Sequence, residues 1–326
     1  MAEYKFQHYV PRTYLEAWEN NRQRVHVFMK DTGRDFHKLT SEVLGQNNFY
    51  TLKSEDMLIL TDEDRVEIFG ELLKYQISLD EDNLDDLLDL SKNYYRFDEW
   101  TIESKDGSTV DREYLKSEIE KKRILDIEKG WHEIEGEWNY LRDEITKTMD
   151  NKSHNLKLED GQKIIRYITS QKSRNVSKKE EYREMIDSIL SFTKENMTED
   201  EYKQIIDEFT DAYFLKSVRK YQQEDEDSLI LKEQNLMMNL HMVFYRTTGG
   251  KKFLTSDNPV FTIIDKKFYK GRFDGLYFPL TPDLLVALHR GETYMYTRAD
   301  MPINKIRRVN RYIKENTERF YVKYDI

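Results

Sequence analysis

Hydrophobic and polar positions divide the chain into three zones. In the first, Arg24-Val25-His26-Val27-Phe28-Met29 and Phe36-His37-Lys38-Leu39 flank the turn signal Lys30-Asp31-Thr32-Gly33-Arg34-Asp35, which predicts a β-hairpin. Phe49-Tyr50-Thr51-Leu52 reads as a further short strand. The second zone, about residues 62–246, is helical and contains no proline. Ile124, Ile127, Trp131, Ile134, Trp138, Leu141, Ile145 and Met149 recur at spacings of three and four, predicting one long helix with a narrow apolar stripe. Thr198-Glu199-Asp200-Glu201 is a capping box that opens a helix with Tyr202, Ile205, Ile206, Phe209, Tyr213 and Val218 on one face. Leu229, Leu236, Leu240 and Phe244 place another helix ahead of Thr248-Gly249-Gly250.

Beyond Gly250 the pattern turns to short β-rich runs bounded by Pro, Gly or Asp-Asn: Phe253–Thr255, Val260–Ile264, Gly275–Phe278 and Leu284–Leu288. Pro302 fits the first turn of a helix reaching about Glu315, and Arg319–Tyr324 alternates like a final strand. Each terminal β zone is too small to bury both its faces. The expected fold is therefore α+β: a mixed sheet built from N- and C-terminal segments, with a large helical insertion between them. One composite domain is expected over 1–326, with a β-rich part at 1–54, a helical part at 55–250 and a β-rich part at 251–326.

Composition narrows the class. Aromatic residues make up 13% of the 326, too many for a disordered chain, and the absence of cysteine excludes disulfides and thiolate metal sites. No apolar run approaches a membrane span and no secretory segment is evident, so a soluble cytoplasmic protein without a membrane partner is expected. The net charge of −10 argues against indiscriminate nucleic-acid binding. Its distribution changes that reading, because residues 55–103 hold 16 acidic against 4 basic side chains while residues 251–326 hold 15 basic against 9 acidic. A basic face able to take nucleic acid is compatible with such a split.

The residues suited to chemistry lie mostly near the prolines. In Thr255-Ser256-Asp257-Asn258-Pro259, Asp257 and Asn258 project from a stiff turn, where a carboxylate can orient a histidine, bind a divalent metal or accept a proton; the alternative is an Asx-turn. Gln171 and Arg174 lie one turn apart on a helix that also carries Arg166, and a guanidinium there can hold phosphate or form a structural ion pair. His8 and Arg12 sit in His8-Tyr9-Val10-Pro11-Arg12. None of the seven histidines shows metal-ligand spacing, so any metal site must be assembled from distant segments. Phosphate-loop, dinucleotide and nucleophile-elbow signatures are absent.

Taken in order, His8-Tyr9-Val10-Pro11-Arg12-x-Tyr14-Leu15, Phe49-Tyr50-Thr51, Gln171-x-x-Arg174, Phe253–Val260, Pro279-Leu280-Thr281-Pro282-Asp283 and Asn310 resemble a widespread family catalogued as a domain of unknown function. The resemblance spans nearly the whole chain and implies one composite domain, with the N-terminal segment a core motif. Where the family pattern continues from Arg into Thr-Pro, this chain has Asn175-Val176. The leading expectation is a nucleic-acid-processing enzyme, a phosphodiester-cleaving effector or toxin of bacterial anti-phage defence, the defence role resting on family-level analogy. In it His8 is the acid/base, Asp257 its orienter or a metal ligand, and Arg12, Gln171, Arg174 and Asn258 hold substrate. The competing expectation is a non-catalytic interaction module whose long helices bind a partner or form a homo-oligomer.

Overall fold

Strands from opposite ends of the chain complete one another's hydrogen bonds. The computed structural model describes residues 6–50, 60–105, 107–264, 273–290 and 296–325. Within it the hairpin strands Arg24–Met29 and Asp35–Leu39 pair antiparallel. Phe320–Lys323 adds to the free edge of Arg24–Met29, with Val322 opposite Val27, and Thr255–Ser256 adds beyond it. A second sheet runs in the order Phe261–Ile264, Phe273–Pro279, Leu284–His289, His241–Thr247, Tyr296–Met301, antiparallel except for its last pair. The fold is α+β, with one mixed sheet, otherwise antiparallel sheets among the described residues, and a large helical region between the terminal strands.

Four local expectations need correcting. The helix that begins at Leu229 ends at Met237, and Phe244 lies in a strand. Leu236, Leu240 and Phe244 satisfy a four-residue period, but the β-rich run His241–Thr247 finds ladder partners on both sides and leaves the helix. On the Glu199–Gln222 helix the buried face is Tyr202, Ile206, Thr210, Phe214, Val218 and Tyr221, while Phe209 and Tyr213 are exposed. The long helix is two, Arg112–Gly136 and Trp138–Asp150, meeting at Glu137. Phe49 and Tyr50 are buried in a turn, the strand there being Gly45–Asn47; Thr51 and Leu52 lie outside the described residues.

The chain divides into two compact units, one drawn from residues 1–5, 50–130 and 181–223 and the other from 6–49, 131–180 and 224–326. The first has net charge −15 and the second +5, which together make the −10 of the chain. In the first, a small sheet (Asp82–Asn83, Tyr75–Leu79, Thr101–Ser104) accompanies helices that include Asp62–Phe69 and Glu199–Gln222, and a buried ion pair joins Arg219 to Asp64. No described helix is long and apolar enough to cross a membrane.

In the second unit the five-stranded sheet has a core on each face. Consecutive strand residues point to opposite sides. Tyr277 accordingly joins Phe253, Phe261 and Leu285 against Ile306, Val309 and Ile313 of the Ile303–Asn316 helix. Phe278 meets Tyr14, Trp138 and Tyr167 on the other side, at ring-centroid distances of 5.1, 6.0 and 6.1 Å. Trp131 and Trp138 are both buried, so the apolar stripe around them is consumed within the chain's own core.

Tyr14 shows what the N-terminal motif accomplishes. It follows Pro11 on the short Arg12–Leu15 helix, donates its hydroxyl proton to the Pro279 carbonyl at 2.8 Å and accepts from the Thr255 hydroxyl at 2.6 Å. Trp18 donates to the Phe253 carbonyl from the next turn. The motif is a bolt between the start of the chain and its C-terminal strands. Tyr14→Phe removes only the oxygen and leaves Pro279 and Thr255 without that partner, so it should cost about 1–3 kcal/mol in urea denaturation, with an unchanged denaturant slope.

Candidate functional site

His8 ends the strand Phe6–His8, which pairs with Gly45–Asn47 so that His8 faces Gly45. A side chain at position 45 would collide with the Phe6 ring and the Gln7 carbonyl at 2.5–2.6 Å, so the close pairing requires glycine. The imidazole is half-buried and donates from Nε2 to the Thr40 carbonyl at 3.1 Å. Burial lowers its pKa, the Thr40 bond opposes that, and the cations Arg12 and Arg174 lower it further. Arg12 itself is exposed.

Gln171 and Arg174 close the Leu158–Ser173 helix, Arg174 being its C-terminal cap residue. Arg174 is buried; its guanidinium pairs with Glu135, donates to the His8 carbonyl at 2.6 Å and lies 4.8 Å from the Trp131 ring centroid. A planar fork matches this combination of carboxylate, carbonyl and ring face. Gln171 is buried, and its Oε1 has no hydrogen-bond partner among the described residues. Asn175 accepts the Lys178 N–H and so caps the Val176–Leu190 helix. Its amide also donates to the Gln171 carbonyl and to Asn258 Oδ1, at 3.0 and 3.1 Å.

Asp257 is almost wholly buried, and backbone N–H groups occupy both of its carboxylate oxygens. Oδ1 accepts from Glu318 at 3.0 Å, and Oδ2 from Arg319 at 2.6 Å and Phe320 at 2.8 Å. Burial pushes its pKa up, against the pull of those three donors. Asn258 donates to the carbonyl of Asn316 at 3.3 Å. Together the two side chains clamp the turn between the Ile303–Asn316 helix and the last strand. The three motif segments thus meet: Arg174 ties the helix end to His8, and Asn175 ties it to Asn258. Among the described residues no hydrogen bond joins His8 to Asp257.

What the clamped turn holds is one wall of an open cleft of about 860 Å³. Lys251, Lys252, Arg307, Arg311, Lys314 and Lys323 line it with one carboxylate, Asp325, and with Phe28, Tyr321 and Tyr324. Arg307, Arg311 and Lys314 stand at i, i+4 and i+7, on the helix face turned away from buried Ile306, Val309 and Ile313. Asn310 fastens this helix to the opposite wall, accepting the Leu254 N–H and donating to the Lys252 carbonyl. Lys252 pairs with Asp283, and Arg311 lies 3.7 Å from Glu315. Lys251, Arg307 and Lys314 have no carboxylate partner among the described residues, and Lys314 sits 4.6 Å from the Tyr321 ring centroid. The charge of this cleft is legible in the sequence as the spacing within Ile303–Asn316. The cleft itself needs the final strand and the Gly250–Leu254 segment brought beside that helix.

The family described as "Protein of unknown function (DUF4238)" matches residues 7–323. The chain belongs to that family. The match runs through every motif that meets at the Arg174 junction, so in this DUF4238 member the N-terminal, central and C-terminal motifs form one connected structure. No curated protein and no solved structure matches the chain.

Proposed function

We propose that this DUF4238 protein binds and processes nucleic acid, with the phosphodiester backbone lying in the basic cleft along the Ile303–Asn316 helix. The observation that carries the reading is the row Arg307, Arg311, Lys314 facing aromatic Tyr321 across a cleft with a single carboxylate. Spaced cations neutralise phosphates, and the half-buried rings of Phe28, Tyr321 and Tyr324 border the same cleft. The proline-containing motifs support the reading as scaffold, because Asp257 and Asn258 fix the turn that sets this wall.

Anisotropy with short fluorescent RNA and DNA tests the assignment. Arg307→Glu with Lys314→Glu should weaken binding on the order of 10-fold or more at about 50 mM salt, while leaving the melting temperature within a few degrees. Equal affinity of the variant and the wild type would remove the cleft from the reading. His8, the residue expected to act as acid/base, does not line this cleft, so cleavage is a separate proposal from binding. An effector role in bacterial defence requires that wild-type expression arrest growth and that His8→Ala relieve it.

One observation favours the interaction reading as a second function. Met185, Ile189 and Phe192 are exposed at i, i+4 and i+7, with Phe209 and Tyr213 exposed on the Glu199–Gln222 helix. A concentration-dependent mass in light scattering, abolished by Ile189→Asp with Phe192→Asp, would identify self-association through this stripe.

A further inference from the structure

We infer that His26, His37 and Asp325 form a binding site for a zinc-class divalent transition-metal ion, with Asp35 as its outer-shell partner. His26 and His37 are direct cross-strand partners in the hairpin, with rings stacked at a centroid distance of 4.2 Å. Lys323 of the last strand pairs with His26, and the chain two residues later brings Asp325 over the histidine pair. One ligand atom from each of the three side chains lies within 4.8 Å of the others, and among the described residues this is the one His, Asp and Glu set of that kind.

The hydrogen-bonding arithmetic points to a cation. His26 Nε2 lies 2.6 Å from Asp35 Oδ2, and its Nδ1 lies against Asp325 Oδ2 without hydrogen-bonding geometry. His37 Nε2 reaches that same Asp325 oxygen at 3.0 Å. A neutral imidazole carries a single N–H. With that proton given to Asp35, Nδ1 turns a lone pair toward a carboxylate oxygen, an arrangement that calls for positive charge there, from a second ring proton or from a bound cation. An ion held by His26 Nδ1, His37 Nε2 and Asp325 Oδ2 supplies it. Asp35 then fixes the tautomer and raises the basicity of His26, as outer carboxylates do at histidine-ligated metals.

Two imidazoles and one carboxylate suit zinc and its neighbours in the first transition row, not magnesium or calcium, which prefer all-oxygen shells. The neighbouring recess of about 610 Å³, lined by Asn20, Asn21, Arg22, Arg24, His37 and Asp325, leaves one side open to water or a ligand as a fourth donor. Asp325 also lines the basic cleft, so the ion would stand at the edge of both. The site does not depend on what the cleft binds.

Isothermal titration of zinc chloride into tag-free, chelator-treated full-length protein is the test, with magnesium chloride as the comparison. The expected result is one zinc per chain, no comparable magnesium binding, and an affinity lowered at least about 100-fold by His37→Ala. Asp35→Asn, which leaves all three ligands in place, should lower it about 10–100-fold. Cobalt loading should give visible absorption bands that His37→Ala abolishes. Both positions are partly exposed on a hairpin, so circular dichroism of the metal-free variants should match the wild type. Absence of zinc binding, equal binding of zinc and magnesium, or zinc affinity unchanged in His37→Ala would each overturn the assignment.

Discussion

Replacing Asp257 with alanine should destabilise the protein by roughly 3–5 kcal/mol. The substitution strands the N–H groups of Glu318, Arg319 and Phe320 in a place where water does not reach Asp257. A buried donor left without a partner costs about 1–3 kcal/mol, and donors that had served a charged acceptor cost more. The carboxylate's own burial cost, visible in its raised pKa, is relieved by the substitution and keeps the net below the plain sum. Asp257→Asn keeps one carbonyl oxygen for these donors and should lose less. Urea melts of the two variants decide the matter. A wild-type midpoint for Asp257→Ala, combined with lost activity, would instead restore the reading of Asp257 as a catalytic group.

Arg174→Ala should be as damaging, again about 3–5 kcal/mol. It leaves Glu135 without its partner, frees the His8 carbonyl and removes a guanidinium from the face of Trp131. Breaking one side of a buried pair is costly chiefly because the remaining charge stays uncompensated. Adding Glu135→Gln should therefore recover part of the loss, and Arg174→Lys should not, since an ammonium cannot serve carboxylate, carbonyl and ring together. Recovery by lysine, or strict additivity of the two neutral substitutions, would contradict this account of the junction.

These expectations show where sequence was informative. The hairpin was legible because Thr32-Gly33 separates two extended runs, and the observed strands end within a residue of the expected ones. That it would share a sheet with C-terminal strands followed from β zones too small to bury their own faces, whereas Phe320–Lys323 as its direct partner was not announced by the pattern. The buried face of Glu199–Gln222 was harder, since Phe209 and Tyr213 have the spacing of core residues and only the neighbouring packing leaves them outside. Asp257 was recognisable as a special carboxylate. Its partners were not, because they are backbone N–H groups about sixty residues further along, which no side-chain pattern announces. His26 and His37 lacked any metal-ligand spacing, and the hairpin register that sets them side by side becomes informative only once Asp325 is folded over them.

The central claim is that the motifs of this DUF4238 chain scaffold a cleft for a phosphodiester backbone, and a salt titration of nucleic-acid affinity tests it most directly. Each phosphate neutralised contributes close to −0.9 to the slope of log K against log salt on duplex DNA. Lys251, Arg307 and Lys314, with no carboxylate partner among the described residues, predict a slope of about −3 or steeper. Arg307→Glu with Lys314→Glu should make it shallower by about 2. No measurable binding at low salt, or a slope identical in the wild type and this variant, would contradict the account.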